Sequence, residues 1–144
     1  MTKMIRIAAG ALIAAGLAAS AHAAEHKLKA SLDSKQEVPA NTSTGKGTAE
    51  ITVNDTTKEV SWTVNFEGLS ADTTAAHIHG PAAAGTNAGV IQALSPQGTA
   101  PKSPLTGKAT LTDAQIADIL AGKTYVNVHT TANKGGEIRG QISP

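Results

Sequence analysis

Apolar and polar residues alternate in short runs along most of the chain, the period of strands that bury one face. Residues 27–33 (KLKASLD) set Leu28, Ala30 and Leu32 in one phase. Residues 48–54 do the same with Ala49, Ile51 and Val53. After the polar turn Asn54-Asp55-Thr56-Thr57 the alternation resumes at Val60, Trp62, Val64 and Phe66, which predicts an antiparallel hairpin. With only one Trp, one Tyr and one Phe in the chain, Trp62 and Phe66 are read as packing residues. Further short strands are expected over residues 75–79, 90–94, 108–111, 125–130 and 137–142. Segments 34–47, 80–89 and 95–104 carry the prolines, glycines and polar residues of irregular connections.

One segment has a different period. Thr112 and Gln115 stand three apart, as in a capping box, Ile116, Ile119 and Leu120 form an apolar stripe, and Gly122 follows. They predict a helix near residues 113–121. The fold class expected is mostly β, an antiparallel β-sandwich or partly closed barrel with that one short helix.

The N-terminus stands apart from this pattern. Lys3 and Arg6 precede an uncharged run over residues 7–19, and Ala21-His22-Ala23 supplies the small-x-small site that a signal peptidase reads. Residues 1–23 are expected to be a cleaved signal peptide, since the run is short of the ~20 residues a spanning helix needs. The mature chain would then be residues 24–144, one β domain in the periplasm or secreted, with no membrane insertion after cleavage. The absence of cysteine excludes disulfides, thiolate metal sites and a lipidated N-terminus. Loss of Lys3 and Arg6 turns a formal charge of +1 into −1. A near-neutral chain with so few aromatics lacks both the basic patch and the stacking platform of a nucleic-acid binder.

Candidate chemistry rests on histidine. On a strand, residues two apart share a face, so His77 and His79 project together, their Cα atoms roughly 6.6 Å apart. Two imidazoles at that spacing can share a metal at about 2.0–2.1 Å per bond. His129 shares its phase with Tyr125 and Asn127 in its own strand, and is the expected third ligand if it faces the same side. An all-nitrogen set suits copper first and zinc second, not magnesium or calcium. The bland alternative is that His77 and His79 shape the loop beginning at Gly80-Pro81. Cleavage after Ala23 would create a separate option: Ala24, Glu25 and His26 can offer an amine, two deprotonated amides and an imidazole to square-planar Cu(II). No catalytic residue is assigned: nucleophile-elbow, P-loop and HExxH patterns are absent, and Glu137 and Arg139 are read as an exposed charge pair sharing a face.

The segments Ala76-His77-Ile78-His79-Gly80-Pro81-Ala82, Tyr125-Val126-Asn127-Val128-His129-Thr130 and Gly136-Glu137-Ile138-Arg139-Gly140-Gln141-Ile142 resemble the chordin (CHRD) domain family. The resemblance runs from about Leu28 to Ile142 and includes the helix end Leu120-Ala121-Gly122-Lys123. It implies an immunoglobulin-like β-sandwich or barrel in an extracellular or periplasmic setting, and no particular biochemical activity. A looser likeness is to copper–zinc superoxide dismutases, where a His-x-His pair and a late histidine bind copper. His77, His79 and His129 match these by order, while the bridging histidine, the zinc ligands and the disulfide have no counterpart. The expected function is thus non-enzymatic binding of a copper-type ion, for buffering, carriage or sequestration. Two alternatives stand beside it: a metal-free module recognising a protein or glycan, and a superoxide dismutase-like redox enzyme.

Overall fold

The alternating runs become eight strands: β1 (Glu25–Asp33), β2 (Lys46–Asn54), β3 (Glu59–Glu67), β4 (Thr73–His79), β5 (Val90–Ala93), β6 (Leu105–Thr110), β7 (Tyr125–Thr130) and β8 (Ile138–Gln141). A helix, α1 (Asp113–Leu120), separates β6 from β7. The structure is a computed structural model that describes residues Ala24–Pro144; the expected signal segment, residues 1–23, lies outside the described residues. The strands make one antiparallel sheet, in the order β5-β4-β7-β8-β1-β2-β3-β6, that curls into a half-barrel. A mostly β, antiparallel fold with one short helix was the expectation. Of the two shapes anticipated, the curled sheet is the one adopted: all eight strands of the described residues belong to it.

Strand ends differ from expectation where pairing outruns alternation. The last part of the 95–104 connection leads straight into β6, which starts at Leu105 and not near residue 108 because it pairs β3 from Leu105↔Val64 to Thr110↔Glu59. Backbone hydrogen bonding carries the strand past the point where its own side chains signal one.

In-phase residues of β1, β2, β3, β4, β7 and β8, with Ile142 just past β8, form the core: Leu28, Ile51, Val53, Val60, Val64, Ile78, Val126, Val128, Ile138 and Ile142 are all buried. Helix α1 closes over this core with Ile116 and Ile119. Its start is fixed as expected, Thr112 Oγ1 accepting from Gln115 N and Gln115 Oε1 accepting from Thr112 N. Such a cap is worth ~1 kcal/mol. Gly122 ends the helix at φ 70°, a left-handed conformation that favours glycine. No helix of the described residues is long and apolar enough to cross a membrane.

Candidate metal centre

Strand β7 is buried on both faces, and the two faces differ in chemistry. Val126 and Val128 enter the core, while Tyr125, Asn127 and His129 point the other way. Pairing brings their neighbours onto that second face: His77 opposes Asn127 and His79 opposes Tyr125 on β4, and Arg139 opposes Asn127 on β8. Directly opposed residues of an antiparallel pair share a face. The result is a polar layer, which residues 80–89 fold back to cover. His79, Tyr125, Asn127 and Arg139 are all buried beneath or beside that loop, and His77 and His129 are half-buried at its open end.

Within this layer the three expected ligands meet. One ring nitrogen from each of His77, His79 and His129 lies within 4.8 Å of the other two, so the group can hold a metal ion. His77 Nδ1 is 3.0 Å from His129 Nε2. Two nitrogens bound at about 2.0–2.1 Å and roughly at right angles would stand about 2.9 Å apart, which that pair already satisfies.

The outer nitrogens decide which lone pairs face inward. His79 Nδ1 is 2.9 Å from the carbonyl oxygen of Ala88, and His129 Nδ1 is 2.9 Å from that of Lys134. A carbonyl only accepts, so both rings donate from Nδ1–H and leave Nε2 unprotonated when neutral. His79 Nε2 is buried without a hydrogen-bond partner, an orphaned atom of the kind that a bound ion would satisfy. Carbonyls that fix a ligating imidazole in this way are the usual outer support of a histidine metal site.

Electrostatics keep the rings neutral. Burial lowers all three histidines, and His77, further repelled by His129 and His79, falls to about 4. Burial of His79 outweighs the hydrogen bond it donates to the Ala88 carbonyl oxygen, and burial of His129 outweighs the one it donates to that of Lys134. Neutral imidazole is the ligating form, so at neutral pH the group is ready for a cation without first losing protons.

Around the histidines stand residues that were not among the expected ligands. Tyr125 stacks face to face on His79, ring centroids 4.9 Å apart and planes 1° from parallel. The Arg139 guanidinium carbon sits 3.4 Å from the Tyr125 ring centroid. Asn127 Oδ1 and Glu37 Oε1 are buried without hydrogen-bond partners. Burial pushes the Glu37 carboxyl up to about 7 against the pull of Arg139. The phase shared by Tyr125, Asn127 and His129 was visible in the sequence. Glu37 lies in a polar loop and carries no such signal.

Glu137 and Arg139 require a correction: they are not an exposed charge pair. Both are buried, 0% and 2% exposed, and each finds partners elsewhere. Glu137 accepts from Ser43 Oγ, Ser70 N and Oγ, Thr130 Oγ1 and Asn133 Nδ2. Burial alone would raise its carboxyl; these donors instead hold it at about 2. The remaining expected residues, Ala24, Glu25 and His26, open β1 or lie just before it. His26 pairs with Val53, and its Nε2 is 3.1 Å from Asp55 Oδ2, so it is no part of the three-histidine group.

Comparison with known proteins agrees with these segments. The model of the CHRD domain family matches residues 28–142, a span that holds His77, His79, His129, Tyr125 and Arg139. Comparisons with curated proteins and with solved structures returned no match. With well over half of the chain covered, the protein belongs to the CHRD domain family.

Proposed function

We propose that this is an exported, non-enzymatic protein that binds a copper-type ion through His77, His79 and His129, to buffer, carry or sequester it. The observation that carries the proposal is the convergence of three neutral imidazole nitrogens from two neighbouring strands. Two of the three rings are held by backbone carbonyls in the tautomer that turns Nε2 inward. Affinity for nitrogen donors peaks at copper among the divalent first-row metals, and zinc is the second choice. Lys3, Arg6, the apolar run and Ala21-His22-Ala23 support export to the periplasm or beyond.

Titration of the mature protein with Cu(I) and Cu(II) tests the proposal, beside a His77→Ala/His79→Ala variant and with residues 24–26 removed from both. Tight one-to-one binding by the parent and its loss in the variant is the expected result. Equal or weak binding by both would overturn the copper function and leave a metal-free module for a protein or glycan partner. The N-terminal Ala24-Glu25-His26 site is a separate proposal, which depends on cleavage after Ala23. Wrapping these residues around one ion also requires the start of β1 to leave its pairing with Asn54 and Val53. Mass spectrometry of the mature N-terminus checks it: any first residue other than Ala24 removes the site.

A further inference from the structure

Arg139 is a buried cation with an unusual set of neighbours. No acidic side chain of the described residues lies within 4.0 Å of its guanidinium, and the Glu37 carboxyl that it pulls on stands beyond that distance. Burying a charge without a close ion-pair partner is costly, so its retention needs compensating contacts. These are the face of Tyr125 and two acceptors on the covering loop, the Thr86 carbonyl oxygen and Asn87 Oδ1, the latter at 2.8 Å. A desolvated cation over an aromatic face is held by the negative face of the ring.

The contacts continue from the loop back to the histidines. Asn87 Nδ2 donates to the Val38 carbonyl oxygen at 2.9 Å, tying the loop to the segment after β1. The next residue, Ala88, is gripped twice: its N–H donates to the Tyr125 hydroxyl oxygen at 3.1 Å, and its carbonyl oxygen accepts from His79 Nδ1. Tyr125 lies on the strand between β4 and β8, with His79 stacked on it from one side and Arg139 packed on it from the other. The guanidinium therefore holds both things that fix His79: the ring it stacks on and the carbonyl that selects its tautomer.

We propose that Arg139 is a positioning residue of the histidine site, clamping residues 86–88 over Tyr125 so that His79 is locked with Nδ1 protonated and Nε2 directed inward. The consequence for an ion rests on the copper proposal above; the locking of the ring does not. A planar fork with several donors can hold Thr86, Asn87 and the Tyr125 face together, which a lysine cannot do.

The test uses the mature protein, Arg139→Gln and Asn87→Ala. Asn87 is exposed, so its replacement removes one arm of the clamp without disturbing the core. Imidazole nitrogen NMR of the metal-free proteins reads the His79 tautomer, and copper titration reads affinity. The parent is expected to show a single Nδ1–H tautomer for His79. Arg139→Gln should give a mixture and a 10- to 100-fold loss of copper affinity, the usual effect of losing an outer-shell partner. Asn87→Ala should shift both in the same direction by less, and decides the matter if Arg139→Gln does not fold. A lowered melting temperature with an unchanged His79 tautomer in the folded variants would overturn the proposal and leave Arg139 a purely structural residue. If the parent binds no copper, the copper function fails, and the tautomer result alone still decides the role of Arg139.

Discussion

His77 Nδ1 and His129 Nε2 lie 3.0 Å apart although 52 residues separate them in the chain. The approach is set by strand pairing: β4 and β7 run antiparallel with Ala75 opposite His129 and His77 opposite Asn127, which makes the two histidines diagonal neighbours on one face. Replacing either ring by Ala should therefore remove a ligand without touching the core beneath. His77→Ala and His129→Ala are each expected to weaken copper binding by at least about 100-fold, the upper range for losing merely an outer-shell partner. Competition against a chelator of known affinity measures the loss.

The histidines also predict how the metal-free protein responds to acid. Their ordinary value is 6.5, and in the fold all three are lowered, His77 to about 4. Between those limits the unfolded chain binds more protons than the native one, so stability rises with pH through the window and is lost as pH falls from 6.5 towards 4. NMR titration should give a His77 midpoint near 4, and denaturant unfolding should show the metal-free protein less stable at pH 5 than at pH 7. Saturating copper should lower the pH at which the loss begins, because the ion binds only the deprotonated rings.

Two buried glutamates should behave in opposite ways. Glu137 is held at about 2 by its five donors, against an ordinary 4.5, so its contribution is complete above 4.5 and is lost as pH falls towards 2. Glu137→Gln turns an amide N–H towards donors and should destabilise the fold by about 3 kcal/mol at pH 7.

Glu37 is pushed up to about 7, so the native state binds the extra proton and stability falls as pH rises from 4.5 through 7. Glu37→Gln removes that dependence. Relative to the parent it should gain stability between pH 5 and pH 8, by up to about 3 kcal/mol. Unfolding curves for both variants at pH 5 and pH 8 would separate the two cases.

A packing prediction concerns the one tryptophan. Gly107 opposes Trp62 across β3 and β6, and a Cβ at residue 107 would stand 2.6 Å from Trp62 Cζ2. Gly107→Ala must displace the indole, which is 6% exposed, and should cost about 1–3 kcal/mol. A red shift and quenching of Trp62 fluorescence in the folded variant would accompany the lowered melting temperature.

Much of the fold was legible because its signals are local. Alternation placed β7 at residues 125–130 and brought His77 and His79 to one side, since side-chain direction on a strand depends only on the backbone period. The capping pair Thr112 and Gln115 marked the helix start for the same reason: donor and acceptor lie three residues apart. The edges of β6 were less legible, because they follow the length of its partner β3.

Local patterning by itself thus determined the strands, the helix and the phase of each candidate ligand. It could not determine whether His129 would face His77, because that depends on which strands pair and in what register. Nor could it tell an exposed Glu-x-Arg from a buried one. The donors of Glu137 come from as far as Ser43, 94 residues away, and the acceptors of Arg139 lie on a loop that folds back more than fifty residues earlier in the chain. Alternation marks which residues share a face, and only the folded chain decides what covers that face. For this protein the cover is a Gly/Ala-rich loop, and it turns the second side of β7 from a solvent surface into a partly buried histidine site.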